Sequence, residues 1–139
     1  MLELESFEKA LKSLEELSKQ TENKQLMDSF PEILKRGLIV GLIQNFEFTY
    51  ELSWKYIKRW LENNLGNTEV DGVSRRQLFR LAIENKLIED VETWMKYHYA
   101  RNKTFHIYDV SIAEEVYEVA LEFLKDAKKL LVAIGERND

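Results

Sequence analysis

The sequence predicts an all-α, up-and-down helical bundle of four to five helices with one long second helix. Three observations carry that prediction. There are one proline and five glycines among 139 residues, and leucine, glutamate, lysine and alanine are abundant, so little interrupts a helix. Apolar residues recur at three- and four-residue steps over long stretches, without sustained strand-type alternation. Helix-start patterns punctuate the chain at intervals. Residues 1–139 read as a single helical-bundle domain, long enough for a substantial core.

Leu4, Phe7, Leu11, Leu14 and Leu17 put one apolar face on a first helix over roughly residues 3–20. Thr21 to Asp28 is polar and reads as a connection. Ser29-Phe30-Pro31-Glu32 reads as a capping box, with Ser29 accepting from the Glu32 amide and Pro31 tolerated in the first turn. The second helix is expected from Phe30 to about Asn64, closed by Gly66, a span of roughly 50 Å. Its first half, Gly37 to Phe46, is apolar on nearly all sides and is expected at the centre or at a subunit contact. Gly37 and Gly41 form a small-x3-small pair that permits close helix approach. The second half carries Phe48, Tyr50, Trp54, Tyr56 and Trp60 among Glu47, Glu51, Lys55, Lys58 and Arg59. Trp54, Tyr56, Trp60 and Trp94 are expected in the core or at a dimer contact, since large aromatics are costly to expose.

Gly66 to Gly72 reads as a loop, and Ser74-Arg75-Arg76-Gln77 as a second capping box opening a helix to about Asn85. Asp90 is expected to cap a fourth helix that holds Trp94, Met95, Tyr97 and the run Arg101 to His106. Ser111-Ile112-Ala113-Glu114 is a third capping box. It starts a last helix on which Ile112, Val116, Val119, Phe123, Leu130 and Ile134 keep the period, and it requires the fourth helix to stop near Tyr108. The short connections make neighbours mostly antiparallel.

Composition excludes several kinds of chemistry. With no cysteine there is no disulfide, thiolate nucleophile or cysteine-based zinc site. The start Met-Leu-Glu-Leu-Glu lacks the basic and apolar regions of a signal peptide, and the longest uncharged apolar run is about half the roughly 20 residues a bilayer requires. A cytoplasmic protein with no membrane contact is therefore expected. The net charge of −5 and pI near 5.2 argue against a broad nucleic-acid coat, so contact with RNA or a nucleotide has to be local.

One stretch stands apart. Arg101-Asn102-Lys103-Thr104-Phe105-His106-Ile107-Tyr108 gathers an arginine, one of two histidines and a tyrosine, and no acidic residue occurs from Thr93 through Tyr108. A permanently charged guanidinium and an imidazole titrating near neutrality are the groups that phosphodiester chemistry needs without a metal. Arg101 can clamp a phosphate and stabilise its extra transition-state charge, while His106 can deprotonate a ribose 2′-OH or protonate the leaving 5′ oxygen. Five residues apart on an ideal helix, the two point about 140° away from each other. They converge only if the helix loosens near its end or if two subunits each supply one copy. Asn102 and His106 are expected as i, i+4 neighbours, with His106 near the helix C-terminus, where the macrodipole favours its protonated form. Lys96, His98 and Lys103 add local positive charge, and Phe105, Tyr97 and Tyr99 offer rings for stacking. His98 itself reads as a surface or boundary residue. Glu47 and Glu51 form either a solvated ladder toward Lys55 or a carboxylate partner for Arg101. Arg75, Arg76 and Arg80 read as a solvated basic face, with a phosphate track as the alternative. No acid–histidine spacing matches a metal motif, so neither metal nor cofactor is expected.

The run Arg101 to Tyr108 resembles the R-x4-H-x-Y motif of the HEPN superfamily, specifically its HepT-like group, long described as nucleotidyltransferase substrate-binding proteins. Phe46-Glu47-Phe48-Thr49-Tyr50-Glu51-Leu52-Ser53-Trp54-Lys55 resembles that group's long second helix. Ser74 to Gln77, Leu87-Ile88, Trp94, Tyr108-Asp109 and Ala113 to Tyr117 follow in the group's order, so the likeness covers roughly residues 30–130. The resemblance implies a homodimeric helical bundle with a minimal nucleotidyltransferase as partner. It implies a metal-independent RNA-cleaving toxin that the nucleotidyltransferase, as antitoxin, silences by transferring AMP to the motif tyrosine. Carried over by residue, Arg101 and His106 become the catalytic pair, Tyr108 the modification acceptor and Asn102 their companion. On their own chemistry, Lys103 and either Glu47 or Glu51 are expected in support. The alternative is a non-catalytic subunit that presents a nucleotide or other substrate to a nucleotidyltransferase.

Overall fold

The computed structural model describes residues 2–138, and the architecture is all-α. The five expected helices are present as α1 (Glu5–Thr21), α3 (Glu32–Leu65), α5 (Arg75–Glu84), α6 (Val91–Asn102) and α7 (Val110–Glu136). Two of the expected connections coil into short helices, α2 (Lys24–Asp28) and α4 (Asn67–Val70), and a 3₁₀ turn covers Thr104–His106. Long α3 is the spine. The helices α1 and α7 pack along it, and α5 and α6 close the remaining side.

Several helix starts differ from expectation for local reasons. Ser29 does not cap α3. Its hydroxyl donates to the Leu26 carbonyl at the end of α2, and α3 begins after Pro31 without a side-chain cap. Asn23 caps α2 by accepting from the Leu26 amide. Asp109, not Ser111, caps α7: its carboxylate accepts from the amides of Ser111 and Ile112 and from the Ser111 hydroxyl. The charged oxygen two residues upstream starts the helix earlier, at Val110, so Ser111 already lies inside its first turn. The caps at Ser74, accepting from Gln77, and at Asp90, accepting from Thr93, are as read. Gly66 ends α3 at φ +93°, a conformation that favours glycine.

The core is one contiguous cluster drawing on α1, α3, α5, α6 and α7. Phe123 of α7 sits at its centre, with ring centroids 5.2 Å from Phe46, 6.2 Å from Tyr50, 5.8 Å from Trp94 and 5.2 Å from Tyr97, mostly edge to face. Phe7 stacks on Tyr56 at 5.4 Å and ties α1 to the spine, while Phe79 meets Trp94 at 5.7 Å and ties α5 to α6. Tyr56, Trp60 and Trp94 are buried as expected; Trp54 is only half-buried. Tyr97 is not available for stacking, because it is buried and its hydroxyl donates to Asp126.

The first turns of α3 project past this core. Ile33 and Leu34 are exposed, Leu38, Ile39 and Val40 are half-buried, and deep burial starts at Leu42. Gly37 and Gly41 face open space instead of a neighbouring helix, contrary to the close approach their spacing suggested. No helix among the described residues is long and apolar enough to cross a membrane.

Because Phe123 is fully buried against four aromatic rings from two other helices, Phe123→Ala is expected to cost about 3–5 kcal/mol. A urea titration followed by tryptophan fluorescence reads this as a lowered midpoint with an unchanged slope.

Candidate active site

The helix α6 ends earlier than the sequence suggested. It stops at Asn102, one residue past Arg101, and the chain then makes the 3₁₀ turn Thr104–His106 before α7. No glycine or proline marks this break; a tertiary contact does. Thr104 is buried and its hydroxyl donates to the Glu47 carboxylate on α3, while the same oxygen lies 2.9 Å from the Arg101 carbonyl at the helix end. One turn further along α3, Glu51 Oε1 accepts from Arg101 Nε at 2.8 Å. The two acids therefore do not form a solvated ladder toward Lys55. Glu51 holds the guanidinium, and Glu47 holds the turn between Arg101 and His106. The other oxygen of Glu51 accepts from Trp54 Nε1 at 3.0 Å, which fixes the carboxylate plane. The Arg75 guanidinium lies 3.5 Å over the Trp54 ring, a close cation–π contact, so Arg75 is not part of a freely solvated face.

The remaining motif residues stand outward. Phe105 is 76% exposed and Tyr108 82% exposed, and His106 is exposed beside them. His106 Nδ1 lies 3.4 Å from the Tyr108 hydroxyl, with the two rings 70° apart. The imidazole is on the 3₁₀ turn and not on the last turn of α6, so the expected i, i+4 relation to Asn102 does not form. Asn102 instead has its amide 3.5 Å from His98 Nε2, one turn back on α6. Local positive charge is smaller than the sequence suggested: Lys96 pairs with Glu122, Lys103 with Glu115 at 2.7 Å, and Arg76 with Glu92. Arg101 and His106 are thus brought onto one short, anchored segment, with Lys103 turned to a neighbouring acid.

His98 sits at the boundary, as read, but with a partner the reading did not name: it is half-buried, and its Nδ1 lies 3.0 Å from the hydroxyl of the fully buried Tyr50. Burial of the ring, reinforced by the nearby Arg75 and Arg101 charges and opposed by Glu51, holds its pKa below the ordinary histidine value. Burial likewise pushes the Tyr50 hydroxyl above its usual range. The signal for this pair lay in the sequence, in a tyrosine beside Glu51 and a histidine one turn before Arg101, but the two are 48 residues apart.

A groove of about 590 Å³ opens beside Tyr108, lined by the overhanging turns of α3, the start of α7 and Ile107. Ile39, Val40 and Val110 give it apolar surface, and Glu32, Lys35, Arg36 and Glu114 line it as well.

With this geometry in view, the likenesses to known proteins are consistent. The chain is 36% identical over 138 residues, 99% of its length and 94% of the relative's, to a Haemophilus influenzae protein called probable ribonuclease HepT. Its fold superimposes with a TM-score of 0.91 and 36% identity on a Haemophilus influenzae structure described as the fold of a substrate binding domain of a nucleotidyltransferase, covering 95% of this chain and 98% of that one. A solved Thermus thermophilus protein matches with a TM-score of 0.70 and 26% identity over 90% of this chain and 95% of that one. Residues 2–136 match the model of a family described as nucleotidyltransferase substrate binding protein like, and the chain belongs to that family.

Proposed function

We propose that this protein is the RNA-cleaving toxin of a toxin–antitoxin module, a homodimer that needs no metal and is silenced by a minimal nucleotidyltransferase. The observation that carries this reading is the anchored motif. Arg101 is tied to Glu51 at 2.8 Å, while His106 and Tyr108 stand on the exposed side of the turn that Glu47 fixes. A guanidinium held by its Nε still presents its two terminal nitrogens, which is the fork that grips a phosphate. The ribonuclease name of the 36%-identical relative supports the same reading.

In the proposed reaction the ribose 2′ oxygen attacks the adjacent phosphorus and its proton passes to a His106 imidazole. The P–O5′ bond breaks, and the leaving oxygen takes a proton from a second, protonated His106. The products are a 2′,3′-cyclic phosphate and a 5′-hydroxyl. Two copies related by a two-fold axis supply the two histidines and surround one phosphate with two Arg101 forks. The exposed apolar turns of α3, Ile33 and Leu34 among them, give such a dimer a surface to cover. Tyr108 is the acceptor for AMP. Its exposed hydroxyl beside His106 means that an added phosphodiester crowds the imidazole and places negative charge where the substrate phosphate would sit. A cytoplasmic location follows from this role.

The groove beside Tyr108 favours a second reading, in which the protein is the non-catalytic partner that holds a nucleotide for the transferase. Incubation of the purified protein with end-labelled RNA in EDTA separates the two. Persistent cleavage supports the enzyme; intact RNA together with nucleotide binding supports the carrier.

Two substitution series test the leading reading. Arg101→Ala and His106→Ala should each lower the cleavage rate by about 100-fold or more, with the far-UV circular dichroism of the parent; a variant that cleaves at the parent rate removes that residue from the site. Tyr108→Phe should cleave RNA like the parent yet gain no mass when incubated with ATP and the cognate nucleotidyltransferase. Continued adenylylation of that variant would place the acceptor elsewhere.

A further inference from the structure

The chemistry proposed above leaves one buried polar arrangement unused. The Tyr50 hydroxyl is enclosed in the core and meets His98 Nδ1 at 3.0 Å. A buried phenol has to place its hydrogen on an acceptor. His98 Nδ1 is the side-chain acceptor within reach of Tyr50 among the described residues. The phenolic oxygen meanwhile lies in the field of the Arg75 guanidinium, whose Nη1 is buried and has no acceptor of its own. With a cation drawn to the oxygen lone pairs, the hydroxyl hydrogen points at the imidazole. Nδ1 then accepts, and the ring proton resides on Nε2.

That tautomer fixes Asn102. Asn102 Nδ2 is placed 3.5 Å from His98 Nε2; with the ring proton on Nε2 two N–H groups would face each other, so the amide turns over to present its carbonyl oxygen. Oxygen and nitrogen of an amide exchange by a half-turn without any change of shape. The half-turn points the Asn102 NH₂ away from His98. Asn102 is exposed and follows Arg101 directly in the motif, so the freed NH₂ is open to solvent on the residue next to the phosphate-gripping arginine.

We infer that His98 is a positioning residue: held by Tyr50 as the neutral Nε2–H tautomer, it turns Asn102 so that the amide NH₂ joins Arg101 on the substrate phosphate. The inference deepens, and rests on, the reading of Arg101 and His106 as the reactive pair. The groups facing His98 are Tyr50 and Glu51 from α3, Arg75 from α5, and Arg101, Asn102 and the Tyr99 ring from α6. Two guanidiniums against one carboxylate, together with burial, favour the neutral ring. Protonation turns Nδ1 into a donor aimed at a hydroxyl that already faces Arg75, and the lock opens. Since the pKa lies below the ordinary value near 6.5, the lock is intact at neutral pH and is lost as pH falls through the lowered value.

The test compares the parent, His98→Ala, His98→Gln and Tyr50→Phe in RNA cleavage across pH, with His106→Ala alongside. On the acid side the parent should lose a further roughly three- to tenfold in kcat/KM beyond any fall seen in His98→Gln. His98→Gln, which keeps a donor near the Nε2 position but cannot titrate, should retain most of the neutral-pH rate and lack that further loss. His98→Ala and Tyr50→Phe should lose about three- to tenfold at neutral pH, the worth of one neutral hydrogen bond. Nitrogen-15 NMR of the two histidines should show His98 as the Nε2–H tautomer in the purified parent. A Nδ1–H tautomer, an unchanged His98→Ala rate, or identical acid limbs for the parent and His98→Gln overturns the inference. Should His106→Ala match the parent, the reactive pair falls, and the purpose assigned to Asn102 falls with it, whatever tautomer NMR finds.

Discussion

Two carboxylates one helical turn apart on α3 define the geometry of the motif. Glu51 takes the Arg101 side chain and Glu47 takes the Thr104 hydroxyl, so α3 grips the segment on both sides of the helix end. The Arg101 and Glu51 side chains are only 22% and 32% exposed, so their charge-assisted bond lies in the range of about 1–3 kcal/mol. A surface ion pair would contribute less. The grip takes His106 off the regular helix that carries Arg101. By ending α6 at Asn102 and turning the chain through a 3₁₀ step, it keeps the guanidinium against the spine and sends the imidazole outward.

That grip needs a rigid α3, and the aromatic core supplies the rigidity. Phe46 and Tyr50 lie one turn apart on the same stretch as Glu47 and Glu51, and both pack on Phe123. The inward face of this stretch is locked into the core while its outward face presents the acids. Trp54 extends the arrangement by bonding Glu51 on its indole edge and carrying Arg75 on its ring face. One stretch of about two and a half turns therefore serves packing and positioning together.

The elements easiest to read in the sequence are those set by period. The stripe on α1, with Phe7, Leu11 and Leu14 buried, and that on α7, with Val116, Phe123, Leu130 and Ile134 buried, were legible because amphipathic spacing is a local property. Capping was half-legible. Ser74 and Asp90 had no competitor nearby, whereas Ser29 and Ser111 each sat within reach of a better use: the α2 carbonyl at Leu26 for one, the Asp109 carboxylate upstream for the other. The end of α6 was illegible because no breaker residue marks it; it depends on Glu47, 57 residues from Thr104 in sequence. The same blindness to distant partners made Glu47 and Glu51 resemble a ladder with Lys55 and hid the Tyr50 partner of His98. The motif residues were identified by kind and order, and their anchoring came only with the fold.

The overhang of α3 has a mechanical consequence. The helix runs unbroken from Glu32 to Leu65, about 51 Å at 1.5 Å per residue. Its first turns are uncovered, and the acids lie where it enters the core. The helix is in effect a cantilever clamped at Leu42 and beyond, with the motif fastened just inside the clamp. The exposed Ile33 and the site-positioning Glu47 thus sit on one continuous helix, about 21 Å apart along a single axis.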